Sequence, residues 1–210
     1  MIAIIDYDAG NMKSVEKAFQ YLNEDAVITR DRKAILEADR VVLPGVGAFG
    51  DAMERLYSYD LVETIQDAVK SGKPFLGICL GLQLLFNSSE ETPGVKGLGL
   101  LPGEILRIPA AEGLKIPHMG WNSLSYHREP GENPHGRLFA GIPEDSYVYF
   151  VHSYQAVVPD EYLAAYVEYG TAKIPAMVYD GKTVYGAQFH PEKSGEVGLQ
   201  ILRNFGGLIG

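Results

Sequence analysis

Cys79 is the only cysteine of the 210-residue chain, and it lies between two glycines in Gly77-Ile78-Cys79-Leu80-Gly81. Phe75 to Ile78 lead into it as a short apolar run of strand length, and Leu80, Leu84 and Leu85 follow at helical spacing, so the thiol is expected at a strand-to-helix junction. Such a junction lifts the side chain out of the sheet and leaves no room for a Cβ on its neighbours, a need that Gly77 and Gly81 meet. The pattern is the thiol form of a nucleophile elbow, in which the next backbone N–H points at a developing oxyanion. It also fits a buried structural cysteine, because free cysteine is among the most buried residue types.

Two further groups bear on that choice. His190-Pro191-Glu192 follows the strand-like run Val184 to Phe189. If the extended conformation persists through Pro191, His190 and Glu192 point to the same side, and the carboxylate can hold the imidazole in one tautomer. Taken alone, a His-x-Glu pair is more often a surface histidine beside an unrelated glutamate. The third group is Pro44-Gly45-Val46-Gly47-Ala48-Phe49-Gly50, a glycine-rich loop after Arg40 to Leu43. Its N–H groups can meet an anion or serve a tight strand-to-helix connection. No Gly-Lys-Ser/Thr follows, which argues against a Walker-type phosphate loop.

A thiol at an elbow, a histidine with a carboxylate, and N–H donors for an oxyanion are the parts that acyl transfer requires. A free cysteine is only a few per cent thiolate at neutral pH, so the base matters. His118, His127 and His135 have no metal-ligand spacing and no partner cysteine, and neither a metal site nor a cofactor is expected.

The elements that position these groups are legible as an alternation. Ile2 to Ile5, Ala26 to Thr29, Arg40 to Leu43 and Phe75 to Ile78 read as strands. Val15, Ala18, Phe19 and Leu22 mark a helix between the first two, Asp31 is placed to cap a short segment, and Leu61, Ile65 and Val69 mark a helix ending near Ser71-Gly72. This predicts an α/β fold with a mostly parallel central sheet flanked by helices, its ligand site at the carboxyl ends of the strands. Long helices are excluded in the Gly- and Pro-rich middle, and strands are expected at Tyr147 to Val151, Leu163 to Tyr169, Ala176 to Tyr179 and Val184 to Phe189, with a turn at Asp180-Gly181. This second half adds a β-rich portion, and Val197, Ile201, Leu202 and Phe205 predict a closing helix. A single domain over residues 1–210 is expected.

A net charge of −9, without a Lys/Arg block, argues against nucleic acid or an anionic membrane as partner. The lone cysteine excludes an internal disulfide, and the N-terminus lacks the features of a signal peptide, so a cytoplasmic location is expected. The longest apolar run, Phe75 to Phe86, falls short of the ~20 residues of a membrane helix.

With Pro44-Gly45-Val46-Gly47, Gly77-Ile78-Cys79-Leu80-Gly81-Leu82-Gln83 and Phe189-His190-Pro191-Glu192 in this order, the chain resembles the triad (class I) glutamine amidotransferases. Within that family, Ile5 to Asn11, Pro117 to Asn122, Tyr149 to Tyr154 and His190 to Gly195 look like the histidine-biosynthetic branch, whose glutaminase subunit passes ammonia to a separate cyclase subunit. The resemblance implies glutamine as substrate, Cys79 as nucleophile, His190 as base and then acid, and Glu192 as its orienting carboxylate. It implies an oxyanion hole from the Leu80 N–H and from the Val46 N–H in its loop with Gly45 and Gly47. Gln83 and Glu91 would hold the amino-acid end of glutamine, Glu90 being the alternative, with His152, Ser153 and Tyr154 lining the pocket. His118 and Trp121 are candidates for the subunit interface, Trp121 fitting a core position equally, and Asn11 and Lys193 are candidates for sensing the partner. Gln155 departs from the family pattern, where a second tyrosine is expected. A glutaminase of another pathway and a stand-alone γ-glutamyl hydrolase remain as alternatives.

Overall fold

The computed structural model describes residues 1–127 and 137–208; His135 lies outside them. Eight strands form the main sheet: β1 (Ile2–Ile5), β2 (Ala26–Thr29), β3 (Arg40–Leu43), β4 (Phe75–Ile78), β7 (Ser125–Tyr126), β10 (Leu163–Tyr169), β11 (Ala172–Tyr179) and β12 (Val184–Ala187). Their order is β2-β1-β3-β4-β12-β11-β10-β7. The five strands from β2 to β12 pair in parallel, and β11, β10 and β7 continue the sheet antiparallel. Two small antiparallel pairs stand apart: β5 (Glu104–Arg107) with β9 (Tyr154–Val157), and β6 (His118–Ser123) with β8 (Tyr147–His152).

The parallel strands lack polar alternation because both of their faces are covered. Ile2 and Ile4 of β1 join one core with Val15 and Phe19 of α1 (Met12–Tyr21) and Ile201 and Phe205 of α6 (Gly195–Gly206). Ala3 and Ile5 point the other way, to Ile35 of α2 (Arg32–Glu37), Leu56 of α3 (Phe49–Ser58), Ile65 of α4 (Leu61–Lys70) and Leu84 of α5 (Leu80–Leu84). As its sequence suggests, Asp31 caps α2, its Oδ1 accepting from the Ala34 N–H at 2.8 Å.

Helix α3 differs from the sequence reading, which extends the loop to Gly50. Phe49, Ala52, Met53 and Leu56 bury one helical stripe, so the loop proper ends at Ala48 and two helices separate β3 from β4. Strand β11 starts four residues before the expected Ala176. Pro175 breaks the pattern in sequence, but it sits opposite Tyr166 next to a register shift in the β10–β11 ladder, where a missing N–H is tolerated.

Candidate active site

Cys79 occupies the turn from β4 into α5 with φ +54° and ψ −109°, a conformation that non-glycine residues rarely adopt. Its N–H is held by the Ala187 carbonyl at 2.7 Å. The turn is packed backbone on backbone. A Cβ on Gly77 would lie 2.7 Å from the Gly81 carbonyl oxygen, and one on Gly81 would overlap the Leu43 carbonyl.

Strand β12 runs parallel to β4, with Ala187 paired to Ile78, and so brings His190 to the same edge as Cys79. The His190 and Glu192 side chains are fully shielded from solvent, and His190 Nδ1 meets Glu192 Oε1 at 2.8 Å. The route to this contact differs from the extended one expected. Pro191–Lys193 form a 3₁₀ turn whose first position suits the fixed φ of proline, and the turn folds the carboxylate back onto the ring. Ser194 steadies the turn, donating from Oγ to the His190 carbonyl at 2.6 Å and accepting the Tyr149 N–H at 2.9 Å. His190 Nε2 is buried without a hydrogen bond, leaving it for chemistry. Burial pulls the imidazole pKa down, but Cys79 and Glu192 together outweigh this and raise it to about 9.

Beside the thiol lies a cavity of about 410 Å³ lined by Val46, Gly47, Cys79, Leu80, Gln83, Glu91, Pro117, Val151, His152, Ser153 and Tyr154. The residues expected around substrate are thus gathered in one place. Glu91 belongs to this cavity, and its Oε2 accepts the Phe49 N–H at the start of α3 at 2.8 Å. Glu90 instead accepts the Arg107 N–H at 2.8 Å, on the exposed side. Gln83 Nε2 donates to the Tyr154 carbonyl at 3.1 Å.

The loop after β3 is held by Tyr7, whose hydroxyl donates to the Pro44 carbonyl at 2.7 Å. Burial, reinforced by Cys79, raises the Tyr7 pKa. Val46 and Gly47 line the cavity, whereas Gly45 is buried and its carbonyl accepts the Leu80 N–H at 3.3 Å. One of the two donors expected for an oxyanion is therefore already engaged.

The four candidates for partner contact divide. Trp121 is 56% exposed and Lys193 is exposed. Asn11 and His118 are buried instead. Asn11 Nδ2 donates to Glu192 Oε1 at 3.0 Å, supporting the carboxylate that holds His190. His118 is sandwiched between Phe150 and Tyr169, with ring centroids 4.7 and 4.1 Å away, and its Nδ1 meets His152 Nε2 at 3.0 Å. Burial lowers the pKa of His118 to about 4 and that of His152 to about 3, so both are neutral at pH 7. Because the Tyr154 carbonyl can only accept, the His152 Nδ1 2.8 Å from it carries the proton, and His118 Nδ1 donates to His152 Nε2. His127 pairs with Asp160 at 2.9 Å. Among the described residues no group of three or more His, Cys, Asp or Glu side chains is placed to hold a metal. Gln155 lies on β9 opposite Leu106, its Oε1 buried without a hydrogen bond.

Sequence reasoning missed Tyr7, Gln188 and Ser194. In sequence each reads as part of a strand or turn, and only the tertiary fold brings them to the site.

The sequence profile of the family described as glutamine amidotransferase class-I matches residues 3–207. The chain is 52% identical over 209 residues to the imidazole glycerol phosphate synthase subunit HisH of Bacillus cereus, covering 100% of this chain and 95% of that protein. It is 49% identical over 211 residues to HisH of Bacillus anthracis, with the same coverage. Among solved structures, a glutamine amidotransferase superposes with a TM-score of 0.73 at 18% identity, covering 98% of this chain and 100% of that one. PurLQS from Thermotoga maritima superposes at 0.71 and 20% identity, covering 97% and 96%. These two share the fold, and the profile and the sequence relatives carry the assignment: the chain belongs to the class-I glutamine amidotransferase family.

Proposed function

We propose that the chain is the glutaminase subunit of imidazole glycerol phosphate synthase, acting in the cytoplasm in histidine biosynthesis. It releases ammonia from glutamine and passes it to a cyclase subunit that makes imidazole glycerol phosphate and AICAR. The observation that carries the reading is Cys79 on a cavity holding Gln83 and Glu91, with the buried His190–Glu192 pair at the same edge of the sheet. Full-length relatives named as HisH support the pathway and the two-subunit arrangement.

In this mechanism the Cys79 thiol proton passes to His190 Nε2 and the sulfur attacks the side-chain amide carbon of glutamine. The carbonyl electron pair moves onto oxygen, where the Val46 and Leu80 N–H groups receive it. As the adduct collapses, the C–N bond breaks and His190 Nε2 protonates the leaving nitrogen, so ammonia departs and a γ-glutamyl thioester remains. Water then attacks the thioester while Nε2 takes its proton; the C–S bond breaks, glutamate leaves and the thiol is restored. Glu192 and Asn11 hold the ring with Nε2 toward the sulfur. The Glu91 carboxylate meets the substrate ammonium, as charge complementarity demands.

Ammonia freed into water at neutral pH is mostly protonated and no longer nucleophilic, so this subunit serves synthesis only within a closed complex. The test mixes the chain with a cyclase subunit and supplies either glutamine or an ammonium salt. Cys79→Ala should abolish the glutamine-dependent reaction and spare the ammonium-dependent one. Loss of both would make Cys79 structural, and full-rate glutaminase by the chain alone would point to a stand-alone hydrolase.

A further inference from the structure

Gln188 follows β12 directly and is fully buried, a costly place for a primary amide unless its polar atoms are used. Its orientation follows by elimination. The Tyr154 carbonyl can only accept, so the Gln83 atom 3.1 Å from it is the amide nitrogen. The second N–H of that nitrogen reaches Gln188 at 3.2 Å, which requires the Gln188 oxygen there. The Gln188 Nε2 is left toward Cys79 Sγ, 3.9 Å away. The Val151 carbonyl also lies beside the sulfur, at 4.0 Å. A protonated thiol has an acceptor in that carbonyl. An ionised sulfur is repelled by it and needs a donor such as the amide.

We infer that the Gln188 side-chain amide is the hydrogen-bond donor that stabilises the ionised Cys79 sulfur, with Gln83 and the Tyr154 carbonyl fixing its orientation. The titratable groups around the sulfur leave this role open. Tyr7, at the end of β1, spends its hydroxyl on the Pro44 carbonyl. His152, from β8, is neutral with its Nε2 accepting from His118. Glu91, from the segment after α5, is held by the Phe49 N–H, and Glu192 by His190 and Asn11. His190 is the remaining donor, and it serves only while protonated. An amide donates at every pH.

This inference rests on Cys79 being the nucleophile, and its test needs neither glutamine nor a partner. The rate of Cys79 alkylation by iodoacetamide is measured against pH on the isolated chain. Gln188→Met, of similar length and without a donor, should move the midpoint of the curve up by about one pH unit. Gln188→Glu keeps the acceptor for Gln83 and sets a carboxylate near the sulfur, so it should move the midpoint further up. Unchanged midpoints in both folded variants would overturn the inference.

His190→Asn separates the two levels of the argument. If it shifts the curve and the Gln188 variants do not, only the role of Gln188 fails; if it too leaves the curve unmoved, the nucleophile reading fails. Because Gln188 is buried, a second measurement uses the unaltered chain with nitrogen-labelled glutamine. The Gln188 side-chain N–H signals should titrate with the alkylation midpoint and shift when Cys79 is alkylated. Signals that stay fixed through both changes would overturn the inference even if no variant folds.

Discussion

The Leu80 N–H donates to the Gly45 carbonyl at 3.3 Å, which joins the residue after Cys79 to the glycine loop that follows β3. An N–H engaged with a carbonyl is not free for an oxyanion, so the proposed mechanism requires the Gly45 peptide to turn away. The exposed Val46 and Gly47, the latter at φ +105° with open space where a Cβ would lie, give the loop room to do so. Slow glutaminase turnover of the isolated chain and marked stimulation by a ligand-bound cyclase subunit are the expected outcome. Val46→Pro removes the second donor. It should lower the glutamine-dependent kcat about 10²-fold in the complex while leaving the ammonium-dependent reaction intact.

His190 makes a prediction about pH. Its folded pKa of about 9 lies above the ordinary 6.5, raised by Cys79 and Glu192 against the effect of burial. The sign follows from linkage: a raised histidine contributes stability that is fully present below pH ~6.5 and is lost as pH rises through ~9. The melting temperature should therefore fall between these values. Cys79→Ala removes the first of the raising groups, so the imidazole titration followed by NMR should move down and the fall in melting temperature should flatten. A His190 titration unchanged in Cys79→Ala would mean that the two side chains do not interact.

Gly81 and Gly72 separate two reasons for glycine. A Cβ on Gly81 would overlap the Leu43 carbonyl, and backbone on both sides leaves little room to yield. Gly81→Ala should destabilise the fold by about 3 kcal/mol in urea titration. Gly72 has φ +81° and open space for 4 Å around the position a methyl group would take, so Gly72→Ala meets backbone strain alone and should cost about 1 kcal/mol. Equal losses for the two variants would contradict the packing account of the elbow.

The local patterns in the sequence sufficed for the parallel strands and the elbow. Phe75 to Ile78 is apolar throughout because both faces of β4 are covered, and glycines flank Cys79 because the turn excludes Cβ atoms. His190 and Glu192 were legible as a pair, although a 3₁₀ turn rather than an extended strand brings them together. Contacts across the fold were not legible. Asn11 meets Glu192 across 181 positions and Gln188 reaches Cys79 across 109, and no local periodicity encodes such meetings. His118 is a candidate for the subunit interface in sequence, and the face it occupies is set by packing against Phe150 and Tyr169.

The opposite face of that strand gives the last prediction. Met119 and Trp121 are 61% and 56% exposed, and Tyr147 on the neighbouring β8 is 59% exposed. Trp121 also meets Tyr149 edge-on, with ring centroids 6.0 Å apart, which restrains the indole before any partner arrives. A restrained aromatic among exposed apolar neighbours is suited to anchor the cyclase subunit, because little side-chain freedom is lost on docking. Trp121→Ala should weaken that association by about 2 kcal/mol, roughly thirtyfold in Kd, read by titration calorimetry. Its own melting temperature should change little, since the side chain is mostly in water. Unchanged affinity would place the docking face elsewhere, and a collapse in stability would make Trp121 part of the core.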